Sequence, residues 1–249
     1  MDFSAINNSI IYAYRGSIAH NLYIPPEEPL GTDDKDYIGI CISPINYYTG
    51  LDKFDQYEYQ ENGDDIIVYD IKKAFRLLLN SNPNILSILW NRPDMYIRIE
   101  PLGQKIIDNR HIFASKKIYK TFVGYALSQL KRMNKSQYKG YMGSKKKELV
   151  DKYGFDVKMA SHTIRLLKCG IEFLETGEFE VYRKKDREEL IAIKQGKWSF
   201  EDINLYVNNL MYDIDSAYKH SQLPPQPNYN TANELLMDVL AEYFRIGEL

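Results

Sequence analysis

The chain has 249 residues, 44% hydrophobic and 27% charged, with 32 Lys and Arg against 34 Asp and Glu for a net charge of −2. Fourteen glycines, ten prolines and two cysteines exclude fibrous, low-complexity and disulfide-scaffold classes and fit a globular protein with a sizeable core in a reducing compartment. No apolar run approaches the ~20 residues of a membrane helix, and the opening MDFSAINNSI has no basic segment leading into an apolar one. A cytoplasmic protein without a membrane partner is expected.

Ile10 to Arg15 (IIYAYR) reads as a strand that stops at Gly16-Ser17. Residues 24–34, with three prolines, form a loop, and Tyr37 to Ile42 is a second strand. Gln56 to Gln60 and Ile66 to Tyr69, separated by ENGD, predict a hairpin. Apolar residues at 71, 74, 75, 78 and 79 predict a helix over 70–80, which Asn82-Pro83 interrupts. Beyond residue 110 the pattern turns helical. Helices are expected over Lys117 to Met133 and Asp156 to Glu175, the second ending near Gly177. Ser199-x-x-Asp202 and Thr231-x-x-Glu234 look like capping signals for two more, on either side of LPPQP at 223–227. The expected fold is α+β, with an α/β head over 1–110 and a helical region over 111–249.

Charge is segregated along the chain. Between Glu27 and Asp70 twelve acids face only Lys35 and Lys53, whereas 131–152 carries eight basic residues against Glu148 and Asp151. Such a pattern suits carboxylates that hold cations beside a basic face that holds a polyanion, or else two solvated faces of opposite sign. Gly16-Ser17, at a strand-to-helix turn, can offer N–H groups and a hydroxyl to phosphate oxygens. Asp34 and Asp36 project from one side of an extended strand and can bridge a pair of Mg²⁺ ions. Lys158, His162 and Arg165, spaced by four and three, share one stripe of a helix where they can meet a polyphosphate. His20, His111 and His220 have no partners at metal-ligand spacing and read as structural or surface residues.

The ordered set GSIAHNL (16–22), DDKDYIGI (33–40), YDIKKAFRLLLNSNPNIL (69–86), YGFDVKMASHTIRLLKCGIEFLETGE (153–178), IKQGKWSFED (193–202) and LPPQP resembles the DNA-polymerase-β-like nucleotidyltransferase superfamily over nearly the whole chain. It is most similar to the superfamily's bacterial and phage group, which has members linked to RNA repair. Four departures stand out: a longer loop before Asp34, Asn21 where a glycine is usual, Asp33 where a serine is usual, and Ser87 where a glutamate is frequent. The resemblance implies a polymerase-β-like catalytic head and a third metal carboxylate on a neighbouring strand. Asp70 is the first candidate, with an ordinary helix N-cap as its other reading, and Asp65 is the reserve.

The implied reaction is Mg²⁺-dependent transfer of NMP from an NTP, ATP first, to an acceptor hydroxyl, with release of pyrophosphate; Mn²⁺ is the alternative ion. Asp34, Asp36 and Asp70 would be the catalytic metal ligands, and Gly16, Ser17, Lys158, His162 and Arg165 would bind nucleotide. The basic segment, through Lys145, Lys146 and Lys147, points to an RNA end or tRNA-like acceptor. The alternatives are transfer to a small molecule or protein side chain, or a nucleotide-binding regulatory module without turnover. Oligomeric state is not legible in the sequence.

Overall fold

The computed structural model describes residues 4–25, 34–61, 64–133 and 144–246. Strand β1 (Ser9–Arg15) runs straight into a single helical turn, α1 (Gly16–Ala19). Strand β2 (Lys35–Cys41), turn α2 (Asn46–Thr49), β3 (Gln56–Glu61) and β4 (Asp64–Asp70) follow. Next come α3 (Ile71–Leu79), α4 (Pro83–Leu86), β5 (Tyr96–Ile99) and α5 (Pro101–Asp108). Among the described residues six further helices follow: α6 (Lys117–Met133), α7 (Ser144–Tyr153), α8 (Val157–Thr176), α9 (Arg187–Lys194), α10 (Phe200–His220) and α11 (Tyr229–Ile246). No described helix is long and apolar enough to cross a membrane.

The strands form one sheet in the order β3-β4-β2-β1-β5, in which β2 and β4 pair in parallel and the other pairs are antiparallel. Alternation separates the two faces. Ile11, Ala13, Ile38 and Ile40 are buried against the helices. Tyr12, Tyr14 and Tyr37 stand on the opposite face and stack across strands at 5.3–5.8 Å between ring centroids. Helix α3 buries Ile71, Ala74, Phe75 and Leu78, the residues at helical spacing. Helix α8 is the centre of the second half, packed against α6, α9 and α10. It starts on an Asp156 cap, whose carboxylate accepts from the Met159 N–H, and stops at Gly177, where φ is 76°.

Strands β1 to β4 and α6 lie where the sequence places them, within a residue or two, whereas β5 has no counterpart in that reading. The Ser199/Asp202 capping box also forms. The start of α11 differs. Asn228, not Thr231, accepts the first-turn N–H bond, and the helix opens at Tyr229, so Thr231 lies within the first turn.

The main buried cluster runs from Ile10 to Val239 across residue 110 without a break. Helix α11 returns to α3 and α5 of the head, and the LPPQP segment is pinned by Lys116 N–H donating to the Pro224 carbonyl at 2.8 Å. A second tie is polar. Arg183, 3% exposed, donates to both carboxylate oxygens of Glu172 (2.5 and 2.8 Å) and both of Asp186 (3.0 and 2.7 Å). Burial opposes its charge, but these carboxylates hold it well above the usual guanidinium range. Burial likewise opposes the Asp186 carboxylate, yet Arg183 and Lys168 bring its pKa below the ordinary value.

Removing Arg183 strands the largely buried Asp186 carboxylate and frees the part-exposed Glu172, so Arg183→Ala should cost about 3 kcal/mol in urea unfolding. Because the folded Asp186 carboxyl is depressed, its contribution is present above its unfolded pKa near 3.9 and is lost as pH falls through the lower folded value. Asp186→Asn should remove that part of the acid transition.

Candidate functional site

The site is laid out by sheet register. Arg15 at the end of β1 pairs with Asp36 of β2, and Asp36 pairs with Asp65 of β4. Paired positions share a face, so the three side chains form one row, and Arg15 Nη2 reaches Asp65 Oδ2 at 2.5 Å. Asp34 lies two positions before Asp36, exposed at the mouth of the same cleft. Gly16 has φ +61°, and a Cβ there would sit 2.1 Å from Asp36 Oδ2. Only glycine permits both the left-handed turn and this approach of a carboxylate to the backbone.

Asp70 is not brought to this place. Five residues along β4 amount to about 16 Å, and the odd spacing turns its side chain to the other face. There it pairs in register with Cys41, is 3% exposed, and caps α3 by accepting from the Lys72 N–H at 2.9 Å. Its other oxygen accepts from Ser43 Oγ at 2.7 Å and the Tyr48 hydroxyl at 2.5 Å. The carboxylate next to Asp36 is Asp65.

Across the cleft stands α8. Lys158, Ser161, His162 and Arg165 line a space of about 390 Å³ with Arg15, Gly16, Ser17, Asp34, Asp36 and Asp65. Arg165 is 8% exposed and has no ion-pair partner among the described residues. Burial, with the nearby Arg183 charge adding, lowers its pKa to about 10, so it stays a cation at neutral pH. A buried cation without a counter-ion in a cleft wall is a demand for an anion. His162 stacks on Tyr125 at 5.6 Å, and burial followed by the charge of Arg165 pushes its pKa down to about 3. It therefore adds no positive charge at neutral pH and faces a ligand as a neutral ring.

Sequence reasoning gave no site role to several lining residues, among them Arg15, His20, Lys194 and Tyr125. Arg15 closes the first strand with no motif of its own. His20 is buried, which fits the structural one of its two readings, and its Nδ1 is 2.7 Å from the Val181 carbonyl, which assigns it a proton there. Burial holds its pKa well below the usual imidazole value. Lys194, at the end of α9, donates to the Leu22 carbonyl at 2.8 Å, and Tyr125 comes from α6. Only the basic residue before Gly-Ser could have been noticed without the fold. His111 and His220 are exposed and away from the cleft.

In the basic segment, Lys147 on α7 is exposed, whereas the side chains of Lys145 and Lys146 and all of 134–143, with Lys135 and Lys139, lie outside the described residues. So does Asp33. Among the described residues no three Asp, Glu, His or Cys side chains converge as a ready-made cation site. Asp34, Asp36 and Asp65 are nonetheless hard oxygen donors beside a phosphate-sized turn. That set fits Mg²⁺, which takes one or two carboxylates together with substrate phosphates.

Residues 5–238 match the family RlaP, described as "RNA repair pathway DNA polymerase beta family". No curated protein matches the chain. Among solved structures, a nucleotidyltransferase-like protein from Exiguobacterium sibiricum 255-15 is similar at 13% identity, over 94% of this chain and 74% of that one, with a TM-score of 0.27.

Two neutral buried imidazoles have a consequence for stability. With folded pKa values below the unfolded 6.5 or so, they leave the unfolded state binding more protons in acid. Stability should fall from about pH 6.5 downward, and His20→Gln or His162→Gln should each flatten that slope in urea titrations. An unchanged slope in both variants would mean the rings are charged in the fold.

Proposed function

Because the chain belongs to the RNA repair pathway DNA polymerase beta family, we propose that it transfers NMP from an NTP to an acceptor hydroxyl in this cleft and releases pyrophosphate. The observation that carries the reading is the opposition of two charge arrays across one space: the Asp34, Asp36 and Asp65 carboxylates over the Gly16-Ser17 turn, facing the buried Arg165 cation, which makes no ion pair among the described residues.

Ser17 and the Gly16 backbone would hold phosphate oxygens. Lys158 and Arg165 would draw the β- and γ-phosphates toward α8 and stabilise charge on the departing pyrophosphate. His162, neutral on Tyr125, would give a hydrogen bond or a stacking face rather than charge. Asp34 and Asp36 would hold Mg²⁺, or Mn²⁺, with Asp65 in place of Asp70 as the third carboxylate. When bound, the ions supply neutralisation of the triphosphate and a lower pKa for the attacking hydroxyl. The His20 ring and Leu166 also line the cleft. ATP is the first NTP to test. An RNA end is the acceptor we favour, on the family description and the basic 131–152 segment.

Incubation with each α-labelled NTP, Mg²⁺ and RNA, protein or metabolite pools tests the reading; label in RNA supports it, and label elsewhere moves the acceptor. Asp36→Ala and Asp65→Asn should each reduce transfer at least about a hundredfold, ~2.7 kcal/mol of barrier, whereas Asp70→Asn should keep the activity of its folded fraction. A dead Asp70→Asn that is as stable as wild type, with an active Asp65→Asn, would reverse the assignment.

The acceptor has a separate test. Changing Lys145, Lys146 and Lys147 together to Gln should weaken RNA binding and make it less steeply salt-dependent, with NTP affinity unchanged. Salt-independent RNA binding in the wild type would favour a small-molecule or protein acceptor.

A further inference from the structure

Resting on that reading, we propose that Arg15 is a positioning residue that holds Asp65 until nucleotide arrives and then exchanges it for a phosphate oxygen, so that anion and divalent cation enter the cleft in mutual dependence. The geometry is specific. Strands β1 and β4 are not neighbours, because β2 lies between them. Two strand spacings are about 10 Å, and Arg15 spans them over Asp36 to place Nη2 at 2.5 Å from Asp65 Oδ2. Its backbone is fixed at the foot of the Gly16-Ser17 turn, and its side chain lines the same cleft as Gly16 and Ser17.

The guanidinium is under-used. A guanidinium offers five N–H donors; one bonds Asp65, and the buried Nε has no partner. Such a fork takes a second pair of oxygens readily, which matches a phosphate better than one carboxylate oxygen. Asp65 for its part cannot direct that oxygen to a cation while a guanidinium occupies it, and the two positive charges repel. Among the described residues no three carboxylates converge as a cation site, although Asp34, Asp36 and Asp65 line the cleft. Each ligand then removes an obstacle to the other: the phosphate engages Arg15, and the cation engages the freed Asp65. Such coupling is necessarily reciprocal.

The test uses the full chain and Mn²⁺ alone as probe, with free Mn²⁺ followed by electron paramagnetic resonance and no nucleotide present. Arg15→Gln should bind Mn²⁺ at least about fivefold more tightly than wild type, and the gain should vanish in an Asp65→Asn background. Arg15→Lys is the second variant. It keeps the charge on a stem too short for the span, so Mn²⁺ affinity should still rise. Without divalent ions, both variants should bind inorganic tripolyphosphate more weakly than wild type. Unchanged Mn²⁺ affinity in both variants, or the same gain in the Asp65→Asn background, would overturn the exchange. The label-transfer assay on wild type judges the activity separately: transfer without Arg15–Asp65 coupling sinks this proposal alone.

Discussion

The turn that follows Gly16-Ser17 is sewn to the segment that follows α8, and that seam ties the two walls of the cleft together. His20 Nδ1 donates to the Val181 carbonyl, and the Arg183 N–H donates back to the His20 carbonyl at 3.3 Å. Asn21 Nδ2 donates to the Arg183 carbonyl at 3.3 Å, Arg187 Nε to the Asn21 carbonyl at 2.9 Å, and Lys194 Nζ to the Leu22 carbonyl at 2.8 Å. Phosphate turn and cationic helix therefore belong to one hydrogen-bonded frame. Arg183 anchors it from behind through Glu172 and Asp186. Shifts of an ångström in such a frame are costly to catalysis.

Asn21 shows the local chemistry of that frame. Its φ is 61°, a conformation that costs most L-residues about 1–2 kcal/mol. A glycine here would meet the same backbone demand without a side chain. Asparagine tolerates the left-handed region better than other residues, and its amide is spent on the seam.

Much of this was legible. IIYAYR before Gly-Ser and the period-two Asp34/Asp36 spacing mark elements whose own side chains carry the pattern. The bounds of α6 and the Ser199 box are legible for the same reason. What was hidden depends on pairing between distant segments. Asp65 and Asp70 lie on the same strand, and an acid ending an apolar run looks equally like a ligand and a helix cap; only the β2–β4 register puts Asp65 beside Asp36. The protonation of His162 was equally out of reach, because spacing gives a helix face but not the burial that lowers its pKa. Thr231 was a good capping residue by type, but Asn228 precedes it and accepts the first-turn bond.

Helix α11 rests on α3 and α5, and its Phe244 ring meets Tyr48, the residue that hydrogen-bonds the Asp70 cap. Contacts of such long sequence separation form slowly, since much chain must be ordered before they reward it. A ribosome delivers the sheet well before residues 229–246 emerge, so the growing chain waits with part of its first-made apolar surface open. That interval, in which a domain nearly complete in sequence is incomplete in packing, is where this protein is most exposed to aggregation and most in need of a chaperone.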